Sequence, residues 1–143
     1  MKMKKVVAVL LVVVLAFSCV GATAFADDVV TFAYEEYGAS SFLSVNGYDI
    51  KMRSTCTVFE DIKELKIETT LEKFWGLFIW NNYSGPVSRY FFNTGKEKIC
   101  AFDNAVLGAE TGTYRMKSVF SLTKTNGEKT SFTIYSNEVK VPK

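Results

Sequence analysis

Along most of the chain beyond residue 40, apolar and polar positions alternate with a period of two. Ile50, Met52, Cys56 and Val58 share one parity, while Lys51, Arg53, Thr55 and Thr57 share the other. Such alternation predicts a half-buried strand and points Cys56 inward. Leu65, Ile67, Thr69 and Leu71 repeat the pattern against Lys66, Glu68, Thr70 and Glu72. The Glu and Lys content also suits a helix over Phe59–Phe74, but the strict alternation and the Ile67-Glu68-Thr69-Thr70 run favour strand. Tyr114, Met116, Phe120 and Leu122 alternate with Arg115, Lys117, Ser121 and Thr123. In the return from Thr130 to Val141, Phe132 and Ile134 have one parity and Val139 and Val141 the other. The phase change near Ser136-Asn137 predicts a β-bulge.

Turn residues separate these runs. Asn46-Gly47 and Asn126-Gly127 are dipeptides of tight antiparallel turns, and Asn93-Thr94-Gly95 marks another turn. Ser41–Val45, Ser88–Phe92 and Lys98–Phe102 read as strands, the last carrying Cys100. Leu77–Trp80 is a short apolar run, and Asn81-Asn82-Tyr83-Ser84-Gly85-Pro86 reads as a loop. Residues 27–40, with the acidic pair Glu35-Glu36, read as a lead-in with a short edge strand near Val29–Phe32. About seven short strands separated by turns predict an all-β antiparallel sandwich over residues 41–143, with a small closed β-barrel as the alternative.

The first twenty-six residues follow a different pattern. A basic start (Lys2, Lys4, Lys5) precedes an apolar run from Val6 to Phe17, and Ala24-Phe25-Ala26 forms a small-x-small site before Asp27-Asp28. That order predicts a secretory signal peptide, cleavage after Ala26 and a secreted mature product beginning at Asp27. A retained anchor is the competing reading, but Ser18-Cys19 and Gly21 interrupt the run before the roughly 20 apolar residues a span needs. A lipid-modified Cys19 is a third reading, and Leu15-Ala16-Phe17-Ser18 matches a lipoprotein box only loosely.

Export changes the meaning of charge and sulfur. Of seventeen Lys and Arg residues, Lys2, Lys4 and Lys5 leave with the leader, whereas all fifteen acidic residues stay, so the mature side chains carry about −1. A near-neutral chain of mixed signs has no electrostatic footprint for nucleic acid and no polybasic patch for anionic lipid. Cys56 and Cys100 remain. In an oxidising compartment an even pair is most simply a disulfide, closing a loop of about 45 residues worth up to roughly 4 kcal/mol in the chain-entropy model. Two buried thiols or a metal pair are the alternatives.

The absence of histidine removes Ser-His and Cys-His nucleophile pairs and the commonest zinc sites. No cofactor or metal is expected, and no Asp-x-Asp-x-Asp-Gly loop accompanies Asp27-Asp28 or Glu35-Glu36. Paired carboxylates from Glu60, Asp61, Glu64, Glu68 and Glu72 are the remaining hydrolytic chemistry. The strongest candidate for binding is the aromatic concentration Phe74, Trp75, Phe78, Trp80, Tyr83, Tyr90, Phe91 and Phe92. Alternation cannot bury all of these rings on one face. Trp75, Phe78, Trp80, Tyr83, Tyr90 and Phe91 are therefore a candidate binding face, against the alternative that they cap the core.

Glu110-Thr111-Gly112-Thr113-Tyr114-Arg115-Met116 resembles the acidic-x-Gly-x-Tyr-x-Cys stretch of immunoglobulin strand F. The resemblance implies a strand-corner role for Tyr114, with Met116 where the second cysteine would stand. It also implies that Cys56 and Cys100 lie on neighbouring strands of one sheet. Gly112–Arg115 and the closing Tyr135-Ser136-Asn137-Glu138-Val139 make the chain similar to small exported Ig-like β-sandwich proteins of Gram-positive bacteria. These resemblances imply a fold and say almost nothing about activity.

The resulting expectation is a secreted, non-enzymatic binding module that engages a protein or carbohydrate through its aromatic face. An antibacterial or membrane-active effector is the alternative, and a small carboxylate hydrolase a third.

Overall fold

The computed structural model describes residues 37–143. The expected signal peptide and cleavage site, and the edge strand expected near Val29–Phe32, lie outside them. The described residues form eight strands: β1 Gly38–Asn46, β2 Asp49–Thr57, β3 Ile62–Gly76, β4 Ile79–Thr94, β5 Ile99–Val106, β6 Gly112–Lys124, β7 Lys129–Tyr135 and β8 Val139–Val141. β1 begins at Gly38, ahead of the domain boundary expected at Ser41. All pairings are antiparallel.

The strands divide between two sheets rather than closing a barrel. One has the order β1-β2-β5; the other runs β4-β3-β6-β7, with β8 continuing the β7 side of β6. Inward-facing residues of both sheets make two apolar clusters. One gathers Ala39, Cys56, Val58 and Cys100 against Leu65, Ile67, Phe120 and Leu122. The other gathers Leu43, Ile50 and Met52 against Leu71, Tyr114, Met116 and Val141.

Three buried serines separate the clusters. Ser41 of β1 and Ser54 of β2 both hydrogen-bond the Ser118 hydroxyl of β6, at 2.8 and 2.7 Å. Ser54 shares the parity of Met52 and Cys56, and its hydroxyl is tolerated inside because it finds these partners. Asn137, between β7 and β8, makes a second polar link. Its side-chain amide accepts from Leu43 N–H (2.8 Å) and donates to Leu43 C=O (2.9 Å), pairing with β1 as a strand's peptide group would. The parity change expected at Ser136-Asn137 is therefore a break in the strand that joins the sheets.

Two expectations are corrected around β4. Asn81–Pro86, expected as a loop, lies inside the strand, and Leu77–Trp80, expected as an apolar run before that loop, contains the hairpin turn itself. Gly76 pairs Ile79, with Leu77 (φ 52°) and Phe78 (φ 64°) as the two central turn residues. The loop signal has a structural cause: Gly85-Pro86 sits at a register shift opposite Thr70, where β4 carries one residue more than β3.

Candidate functional site

β3 and β4 are the longest strands, and their hairpin outruns the sheet. The last β3 residue paired with β6 is Lys73, opposite Tyr114. Beyond it, Phe74 to Trp80 pair only within the hairpin. At about 3.3 Å per strand residue, the tip extends on the order of 10 Å beyond that last pair.

The tip is apolar on both faces. Phe74 and Trp80 pair on the side that faces away from the second sheet, the side that carries Glu72 and Arg115. Trp75 lies on the opposite side, in line with Lys73 and Leu71, and is 73% exposed. Leu77 and Phe78 form the apex at 89% and 95% exposure, and Ile79 is also exposed. Both apex residues have left-handed φ values, which are costly for side chains other than glycine or asparagine. Two-residue turns of this geometry favour Asn-Gly. The chain holds strained apolar residues where relaxed polar ones would fit.

The six aromatic residues expected to share a face do not share one. Trp75 and Phe78 belong to the tip. Trp80 stacks on Arg115, whose guanidinium lies 4.4 Å from the Trp80 ring and 4.2 Å from that of Tyr135. Arg115 Nε also donates to Glu72 at 2.6 Å, so this outer-face group is internally satisfied. Tyr83 turns inward against Tyr114, ring centroids 5.1 Å apart. Tyr90 stacks on exposed Phe92, far along β4 from the tip. Phe91 packs against the core cluster, with Arg89 over its ring at 4.9 Å. Edge-strand alternation and the bulge at Gly85-Pro86 account for the dispersal.

Around the hairpin base the charges are neutralised. Lys73 Nζ donates to Glu110 Oε2 at 3.0 Å and lies over the Tyr83 and Tyr114 rings. Glu110 is held at each of its other groups: its N–H donates to the Tyr83 hydroxyl at 3.1 Å, and its C=O accepts from Tyr114 at 2.5 Å. Burial pushes the Tyr114 phenol above its usual range. Beside this network, Lys73, Trp75, Asn81, Asn82, Tyr83 and Glu110 border a shallow depression of about 340 Å³.

Elsewhere, Phe42, Lys51, Arg53, Asp103 and Leu107 border an open depression of about 740 Å³ on the outer face of the β1-β2-β5 sheet, crossed by the Arg53–Asp103 ion pair at 3.4 Å. The carboxylates considered for hydrolysis are scattered over separate contacts. Glu60 meets Lys124, Asp61 accepts from Lys96 N–H, Glu68 meets Lys66, and Glu72 meets Arg115. Cys56 and Cys100 are buried, directly opposite across β2 and β5, with free thiols. Burial pushes the Cys56 thiol up to about 12 and raises that of Cys100.

What sequence reasoning missed is the apex. Leu77 carries no turn signal, and the pair Leu77-Phe78 is recognisable as a turn only once the β3–β4 register is known. Among the described residues, no helix is long and apolar enough to cross a membrane. No protein-family profile and no curated protein match the chain. Among solved structures it is similar to the sporulation control protein Spo0M of Bacillus subtilis, at 11% identity and a TM-score of 0.30, over 73% of this chain and 49% of that one. The chain thus spans about half the length of that protein.

Proposed function

We propose that this is an exported, non-enzymatic binding module of Ig-like type whose contact surface is the β3–β4 hairpin. The observation that carries this reading is the exposure of Trp75, Leu77 and Phe78 together on a projection the sheet does not cover. Exposed apolar clusters of this kind mark interaction sites, and the strain at Leu77 and Phe78 indicates a use that offsets its cost.

The Ig-like assignment is supported by strand order. A β1-β2-β5 sheet facing β4-β3-β6-β7 corresponds to strands A-B-E facing C′-C-F-G. The Tyr114 hydroxyl bond to Glu110 has the form of the strand-F tyrosine corner. Export is supported by the signal-like residues 1–26, and N-terminal sequencing of the secreted product is expected to begin at Asp27. In that compartment the Cys56–Cys100 pair forms a within-sheet disulfide. Directly opposed residues have Cβ atoms about 4.5–5.5 Å apart, which leaves only a small approach for bridging.

The test is association of the secreted protein with whole bacterial cells, comparing wild type with Trp75→Ser/Phe78→Ser. Loss of cell association with an unchanged near-ultraviolet signature of the core supports the hairpin as the contact surface. Equal association of the two proteins overturns it.

A further inference from the structure

We infer that the β3–β4 hairpin tip inserts into the interfacial region of a lipid bilayer, with Leu77 and Phe78 entering the acyl boundary and Trp75 resting at headgroup level. This deepens the binding-module reading and rests on it.

The tip's shape favours lipid over other partners. A protein partner or a second copy engages about 20–30 residues a side in a stable interface, whereas the apolar projection is confined to residues 74–80. A sugar stacks on one aromatic platform beside hydrogen-bonding groups; the apex offers aliphatic and aromatic groups pointing in several directions and no polar side chain. Apolar exposure on both faces and at the apex suits surroundings that are apolar on every side. Its extension beyond the last β3–β6 pair, on the order of 10 Å, matches the 5–10 Å depth to which interfacial elements sit. Trp75 stands one step behind the apex, where an indole's apolar body and polar N–H match the headgroup boundary.

The local charge selects the kind of membrane. Lys73 is paired with Glu110 and Arg115 with Glu72, so these two cations at the hairpin base are each balanced by a carboxylate. Balanced pairs match a zwitterionic surface, and binding is expected to vary little with salt because no counter-ion attraction drives it.

The apex also supplies a variant that separates binding from folding. Leu77→Asn/Phe78→Gly places the preferred residues of a two-residue turn at the two strained positions. It should fold at least as stably as the wild type while losing the inserting groups.

The experiment uses secreted protein, phosphatidylcholine vesicles and insoluble peptidoglycan. Wild type should partition into the vesicles with a blue shift of tryptophan emission, quenched by lipids brominated near the headgroup end of the acyl chain. Trp75→Phe should abolish that quenching while Trp80→Phe leaves it. Leu77→Asn/Phe78→Gly should lower the partition coefficient by about a hundredfold, since each removed side chain is worth roughly a factor of ten or more. Absence of vesicle partitioning, or partitioning equal in this variant, overturns the lipid inference. If peptidoglycan instead retains the protein and Trp75→Ser abolishes retention, the binding-module reading stands without its lipid partner. Binding to neither material, together with hairpin-independent cell association, overturns both.

Discussion

The Tyr114 hydroxyl donates to the backbone oxygen of Glu110, four residues upstream, at 2.5 Å. It does so from a fully buried ring in the core cluster of Leu43, Ile50 and Met116. The bond closes the entry into β6 at the level where Lys73 makes the last β3–β6 pair. The bond thus pins the Glu110 backbone beside the base from which the hairpin projects. Tyr114→Phe keeps the ring and removes the donor, and is expected to cost about 1–3 kcal/mol in urea denaturation. Tyr83→Phe removes a hydroxyl that accepts from the exposed Glu110 N–H and meets the Tyr114 hydroxyl, and should cost less because the Glu110 carbonyl keeps its donor. A reversed order would show that the corner bond is dispensable.

Arg115 couples the same base to the outer face. Its guanidinium lies between Trp80 and Tyr135 and meets Glu72, whose side chain is 9% exposed. Arg115→Ala leaves that carboxylate largely buried beside no cation, and the expected loss is about 2–3 kcal/mol, below the figure for a fully buried pair because Arg115 is partly exposed. Arg115→Lys restores charge without the planar stacking group and should recover only part of it. Full recovery by lysine would show that the rings contribute nothing. Trp80 emission should shift in both variants.

How much of this was legible in the sequence varies with the cause. Strands β2, β3 and β6 followed from alternation, because each buries one face against the opposite sheet. Of β4 only Ser88–Phe92 was read as strand, because an edge strand with few buried positions has no face to impose the period; its residues 79–93 are all exposed or half-buried. Asn81–Pro86 carried every mark of a loop, yet those residues serve a bulge. At the turn, Leu77-Phe78 lacks the Gly or Asn that would have announced it. Ser54 and Ser118 share the parity of the inward residues, but a hydroxyl at such a position is intelligible as buried only with its partner in view. For the candidate site, the sequence indicated where aromatics concentrate, but tertiary register decided which of them reach solvent.

The bulge itself makes a sharp prediction. Gly85 has φ near 100°, and a Cβ there would lie 2.8 Å from the Thr69 carbonyl oxygen and 3.3 Å from Thr70 Cα. Both are backbone atoms of the central strand β3 and cannot move aside cheaply. Gly85→Ala is expected to destabilise by about 2 kcal/mol or more. Gly47→Ala, at φ near 64° in the β1–β2 turn with nothing within 4 Å of the added carbon, should cost about 1 kcal/mol. Equal costs at the two sites would mean that β4 yields at the bulge.

The opposed thiols of Cys56 and Cys100 give the last prediction its sign. In the reduced protein, burial and the neighbouring Cys100 push Cys56 up to about 12 from 9.0. Burial also raises Cys100, partly offset by Thr94, Lys98 and Arg89. Above pH 9 the unfolded chain releases thiol protons that the folded chain retains. The contribution of Cys56 is therefore fully present below pH 9 and lost as pH rises towards about 12, at about 1.4 kcal/mol per pH unit. Tyr114, also raised by burial, adds an alkaline loss in either redox state. A Cys56–Cys100 disulfide has no thiol to titrate, so only the tyrosine-type loss remains. Oxidised protein should exceed reduced protein by up to about 4 kcal/mol at neutral pH, and the gap should widen above pH 9. Denaturation curves of both forms from pH 7 to 11 measure this directly. Parallel curves would show that the two sulfurs are not linked in the native protein, or that burial does not hold their protons.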